Sequence, residues 1–172
     1  MAKQKIDQFA NKAYQRVTMS AANTLTFEEV NFAAGIFQRI ALVIHRVIFQ
    51  PGNALWNSLV ASTDVAQVAL TVSNGITDIA MTHAEIIARM EWVGYANGTP
   101  ASGAVVRGDH LIDFSAFPGG GMIVPASPLY VAMATSGMGA AMNCDVEIDF
   151  TFTELADADY IELIQSRVKA NL

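Results

Sequence analysis

The sequence predicts an all-β fold, two antiparallel sheets packed face to face. Three observations carry that expectation. Residues 144–153 (Cys-Asp-Val-Glu-Ile-Asp-Phe-Thr-Phe-Thr) alternate apolar and polar without an error. Period two at this fidelity gives a strand with one dry face and one wet face, the signature of an antiparallel sheet. The rest of the chain breaks into short runs rich in β-branched and aromatic residues, parted by Gly, Pro and Asn turn signals. Last, 172 residues with a 52% hydrophobic share are enough for one domain with a substantial core.

Residues 5–16 set Ile6, Phe9, Ala10 and Ala13 at helical spacing, which predicts a short amphipathic arm helix in need of a partner. Tyr14–Met19 and Thr24–Phe32 are strand candidates on either side of an Ala21-Ala22-Asn23 bend. Ile36–Phe49 carries apolar residues on both faces and reads as a central strand, ended by Pro51-Gly52-Asn53. Trp56–Val60 is an apolar patch in a loop, and Asp64–Val72 alternates up to Asn74-Gly75. His83–Val93 fits both periods; its β surroundings and the ending Trp92-Val93-Gly94-Tyr95 favour a strand. Residues 96–104 are loop by composition. His110–Ala116 is a strand, and Phe117-Pro118-Gly119-Gly120-Gly121 is a turn that calls for positive φ or close backbone approach.

Met122–Val124 and Leu129–Thr135 flank Pro125 and Pro128, so the segment is kinked or lies at an edge. Ser136–Asn143 is a loop of small residues before the alternating run. Asp157 can cap a terminal helix with Tyr160, Ile161, Leu163, Ile164 and Val168 on one stripe. The count is about eight strands, so the expected architecture is an eight-stranded single jelly roll or a related sandwich. Its predicted parts are an arm over 1–16, a jelly-roll domain over 17–155 and a C-terminal helix over 156–172.

Charged residues are only 15% of the chain, where about 25% is usual. A surface so poor in charge is expected to be buried against neighbours, with symmetric self-assembly as the simplest form. The formal net charge of −6 argues against a dedicated nucleic-acid binder. Yet Lys3, Lys5, Lys12 and Arg16, four of the ten basic residues, sit in the first sixteen positions. Such an arm can touch anionic lipid, a genome or an acidic face of a neighbour, or lie solvated. Met1-Ala2-Lys3-Gln4-Lys5 leads into a polar stretch, which predicts no secretion leader and synthesis in a cytoplasm. No run reads as a membrane-spanning helix.

No pattern of reactive residues points to an enzyme. His45, His83 and His110 lie outside any metal-ligand spacing, and His45 beside Arg46 in the most apolar strand reads as a hydrogen-bonded core or interface histidine. Gly119-Gly120-Gly121 lacks the Lys-Ser/Thr of a phosphate loop, and no GxSxG elbow is present. Cys144, the single cysteine, reads as a small buried hydrophobe. Asp145, Glu147 and Asp149 form a carboxylate ladder about 7 Å apart along one strand face. That ladder reads as a solvated face, or as one paired with a neighbour's basic residues. No catalytic, cofactor-binding or metal-ligating residue is therefore predicted.

The pattern Asp113-Phe114, Phe117 to Pro125, Leu129-Tyr130-Val131-Ala132, a Gly/Ala loop and then Asp145 to Leu155 resembles the last strands of single jelly-roll viral capsid proteins. It is similar to the small major capsid proteins of tailless icosahedral viruses with an internal membrane, the sphaerolipovirus-like group. Asn23-Thr24-Leu25-Thr26-Phe27 and Ala41 to Arg46 fit the early strands of that group. The resemblance implies eight strands in two four-stranded sheets, oligomeric capsomers and a place in an icosahedral shell of a virion.

The expected function is thus a structural coat subunit that self-assembles, with a homo-oligomeric partner, a second coat protein as a further candidate partner and no small-molecule substrate. Loops built from Ala, Gly, Met and Trp, together with the arm and terminal helix, supply the expected interface residues: Lys3, Lys5, Lys12, Arg16, Trp56, Met138, Met142, Tyr160 and Ile164. The alternatives are a trimeric or pentameric sandwich binding module of tumour-necrosis-factor or lectin type, and a cupin-type metalloenzyme.

Overall fold

The computed structural model describes residues 10–30, 32, 40–59, 61, 63–80, 82–94, 110–125 and 128–168. Side chains of 56, 57, 160, 164 and 166–168 also lie outside the description. Among the described residues nine strands and two helices follow in the order β1 (Asn11–Thr18), β2 (Leu25–Val30), β3 (Ile40–Pro51), α1 (Asn53–Ser58), β4 (Val65–Thr71), β5 (Ile86–Val93), β6 (His110–Asp113), β7 (Met122–Pro125), β8 (Leu129–Ser136), β9 (Asn143–Glu154) and α2 (Asp157–Val168). One antiparallel sheet runs β1-β9-β3-β6, with β7 also paired to β3; the other runs β2-β8-β4-β5. β6 lies against Arg46–Phe49 and β7 against Ala41–Ile44, so the two follow one another along the same edge of β3. Nine strands thus fill eight places.

The alternating run becomes β9. Cys144, Val146, Ile148 and Phe150 point inward and are fully or almost fully buried, with Phe152 packed against them. They meet Leu70, Met133, Val131 and Trp92 of the facing sheet in one core. Central β3 supplies Leu42, Ile44, Val47 and Phe49, all at 0% exposure. Burial of one such side chain contributes about 1.5–3 kcal/mol, so this layer is the main stabilising element.

The inner residues of β3 are even-numbered up to Ile44 and odd-numbered from Val47. The switch is a β-bulge: Ile44 pairs with Phe150 and Arg46 with Asp149, which leaves His45 as the extra residue. Without it, alternation would turn Arg46 into the core and Val47 out of it. The His45 ring fills the bulge, bonded through Nδ1 to the Gly120 carbonyl (2.8 Å) and through Nε2 to Thr151 Oγ1 (3.0 Å). A carbonyl only accepts, so Nδ1 carries a proton. The expected hydrogen-bonded histidine is present, and its partner loop explains the glycine run. Gly119 and Gly120 have φ of 91° and 78°, and a Cβ on Gly121 would stand 2.7 Å from the Ile44 carbonyl oxygen.

The bulge yields a prediction. Deleting His45 leaves a regular ladder with Ile44 inward, Arg46 outward and Val47 inward, so the variant is expected to fold. Its stability should fall by what three hydrogen bonds contribute, two to the ring and one from the Phe114 amide to the His45 carbonyl, about 1.5–4.5 kcal/mol. Circular dichroism and a thermal melt check this; loss of β structure would mean that the bulge itself is required.

Several expectations are corrected. Residues 11–16 are strand, not arm helix: Ala13 and Val17 alternate inward against β9, and a neighbouring sheet edge outweighs a weak helical period. Residues 53–58 form a short helix, and Leu55 and Leu59 plug the end of the sandwich, so this apolar stretch serves the protein's own core. Met138 and Met142, expected at a contact between copies, are 3% and 2% exposed in the same core. Asn23 pins that loop: its Nδ2 donates to the Met138 carbonyl and its Oδ1 accepts from the Met138 amide, both at 3.0 Å. Met122–Val124 and Leu129–Thr135 are not one kinked strand but two, in different sheets, the first of them at an edge beside β3 as the prolines allowed. The strand expected over 83–93 is present as β5. The loop expected over 96–104 lies outside the described residues.

Candidate functional site

The exposed face with the densest chemistry is the outer side of the β1-β9-β3-β6 sheet. Antiparallel pairing places directly opposed residues on one side of a sheet, so the registers give its rows. One row reads Lys12, Asp149, Arg46, Asp113 across β1, β9, β3 and β6. The next reads Tyr14, Glu147, Ile48, Leu111. Beyond it Arg16 stands opposite Asp145.

The carboxylate ladder of β9 is therefore flanked on both sides by basic residues of the same chain. Arg16 grips Asp145 with two parallel bonds of 2.7 Å, Nε to Oδ1 and Nη2 to Oδ2. Lys12 Nζ binds Glu147 and lies 3.5 Å from Asp149 Oδ1. Arg46 donates to Asp149 Oδ2 from Nε (2.8 Å) and from Nη2. The sequence left open whether this ladder was solvated or paired with a neighbour; it is paired within the chain, and Asp149 is buried. The long arms of Lys12 and Arg46 cover the shorter carboxylate between them.

The electrostatics follow the pairing. The hydrogen bond from Arg16 holds the Asp145 carboxyl below its ordinary value, and the same bond holds Arg16 above its own. Glu147 raises Lys12 in the same way. Asp113 is lowered chiefly by the Ser115 hydroxyl and amide, with Arg46 and His45 adding to it. Depressed carboxyls such as Asp145 and Asp113 stabilise the fold above their ordinary pKa of 3.8; that contribution is lost as pH falls through the still lower folded value. The Arg16–Asp145 pair is half exposed, so it contributes little to stability.

Apolar side chains lie among the charges. Tyr14 is 67% exposed and Leu111 49% exposed, at opposite ends of one row. Toward the other end of the sheet Ala41, Val43, Thr151 and Thr153 are covered, and α2 lies near β7 there.

No protein-family model and no curated protein sequence matches this chain.

Of the interface residues predicted from sequence, the structure brings Lys12 and Arg16 together on this face. Met138 and Met142 are inside. Trp56 lies on α1, and Tyr160 and Ile164 on α2, with side chains outside the description; Lys3 and Lys5 lie outside the described residues altogether. Sequence reasoning missed Arg46, Ile48, Leu111 and Asp113. The available signal was the charge of Arg46, which interrupts an otherwise apolar strand. Among the described residues no group of three His, Cys, Asp or Glu side chains is placed to hold a metal ion, and no helix is long and apolar enough to cross a membrane.

Proposed function

We propose that this chain is a coat subunit of a virion, a single jelly roll that self-assembles into an icosahedral shell. The observation that carries the reading is the nesting of strand pairs. β1 pairs with β9, β2 with β8, β3 with the β6 and β7 pieces, and β4 with β5. A hairpin of four strand pairs rolled up once, with the pairs dealt alternately to two sheets, would give such nesting, which supports the jelly-roll reading shared by capsid, lectin and cupin domains. Fold alone does not choose among those. The choice of a coat subunit rests on the low charge content and on an exposed sheet face that carries Tyr14 and Leu111 among paired charges. Both favour burial against further protein. The resemblance of residues 113–155 to the small capsid proteins of internal-membrane icosahedral viruses points the same way.

Purified full-length protein is expected to form large closed particles or discrete capsomers, read by light scattering and negative-stain electron microscopy. Trimers or pentamers that never grow would favour the binding module. A monomer at every salt and protein concentration would overturn the assembly reading.

A further inference from the structure

We propose that the outer face of the β1-β9-β3-β6 sheet is a contact with a second copy of this chain. The two faces would be related by a two-fold axis parallel to the strands, passing between β9 and β3. This rests on the reading of the chain as a self-assembling subunit and assigns the surface that does it.

The geometry comes from the order of charges. Across the sheet the row Lys12, Asp149, Arg46, Asp113 reads plus, minus, plus, minus. A row of this kind becomes its own complement when reversed. A two-fold axis along the strands reverses it, so Lys12 meets Asp113 of the second copy, and Arg46 stands over the position of Asp149 of the second copy, whose carboxylate is already covered within its own chain. Isologous contacts require such self-complementarity. The same axis acts on the neighbouring row and brings Tyr14 onto Leu111 of the second copy. These are the two most exposed apolar side chains of the face, 67% and 49%, and each lies at a row end where its partner falls. Aromatic and aliphatic side chains in such places serve as contact anchors. Glu147 meets Ile48 of the second copy, with its carboxylate already held by Lys12.

Net charge also opposes such a contact little. The face holds three basic residues (Lys12, Arg16, Arg46) and four acidic ones (Asp113, Asp145, Glu147, Asp149), close to neutral on a chain of net charge −6. The uncovered part spans four strands and three rows, about 20 by 20 Å, or about 400 Å² per copy. Two copies would bury about 800 Å², below the ~1,200 Å² of a stable stand-alone complex. The contact is therefore weak alone and works alongside others.

The test is charge exchange in the full-length protein, read by sedimentation velocity over a concentration series at low salt. Lys12→Glu and Asp113→Lys are each expected to weaken self-association at least ~10-fold, and the two together in one chain to restore it. Within a chain these positions are three strand spacings apart, about 14 Å, and the partners of Lys12 are Glu147 and Asp149, so a purely internal defect would not be repaired by the second change. Leu111→Ser, which disturbs neither ion pairs nor core, is expected to weaken association as well. Circular dichroism shows each variant folded. Wild-type association with no loss in the single variants, or a loss without rescue in the double, would overturn this face while self-assembly stands. A wild-type chain that never associates would overturn both.

Discussion

Ile148→Asp is expected to abolish folding, whereas Glu147→Lys, one residue away, leaves a folded protein. Ile148 is fully buried on the inner face of β9, where its register partners are Ala13 of β1 and Val47 of β3. The substitution removes a buried aliphatic side chain, which costs about 2–5 kcal/mol. It also places a carboxyl where nothing polar faces it, a further cost of several kcal/mol even if the group takes up a proton. Against a total stability of about 5–15 kcal/mol the sum is decisive. Glu147 points the other way and is lost at the cost of one surface ion pair with Lys12, about 1 kcal/mol or less. The measurement is recovery of folded protein with native β circular dichroism. A folded Ile148→Asp together with an unfolded Glu147→Lys would mean that the two faces of β9 are reversed.

That contrast was legible in the sequence because β9 obeys one rule from Cys144 to Thr153: its inner side chains are all apolar, its outer ones all polar. The two-sheet architecture followed for the same reason, since several runs carry enough β-branched and aromatic residues to fix their period. β1 read as strand only from Tyr14 onward and as arm helix before it, because its inner face is built from Ala13, Gln15 and Val17, too small and too polar to outweigh a helical coincidence among Ile6, Phe9, Ala10 and Ala13. Its strand state is decided by β9, more than 120 residues away in sequence. The bulge at His45 was hidden because a strand that is apolar on both faces shows no alternation to break.

Composition misled at the loops. Ala, Gly and Met are what a loop needs to lie against another copy, and also what it needs to turn back and close the end of a sandwich. Met138 and Met142 do the second. The charged face could not be assembled from sequence at all: Lys12, Arg46, Asp113 and Asp149 come from four strands, and only the register places them in one row.

Removing one side of the central ion pair of that row is expected to have unequal consequences. Arg46→Met should destabilise by about 2–4 kcal/mol, and Asp149→Asn by less than about 1 kcal/mol. The asymmetry comes from burial. The Asp149 side chain is 6% exposed, and that of Arg46 is 47% exposed. Without Asp149 the guanidinium turns to water and loses little. Without Arg46 the carboxylate stays under the arm of Lys12, with Lys12 Nζ 3.5 Å from Oδ1 as its remaining cationic neighbour and Oδ2 stripped of both donors. A buried charge left in that state costs more than the pair ever contributed. The double variant Arg46→Met with Asp149→Asn should recover most of the loss, because no uncompensated charge remains. Urea denaturation of the four proteins measures the cycle. Equal losses from the two single changes would mean that Asp149 is solvated and that its row is an ordinary exposed surface; unequal losses with recovery in the double would establish that Arg46 is there to keep an interior carboxylate satisfied, on a strand whose bulge exists to turn that arginine outward.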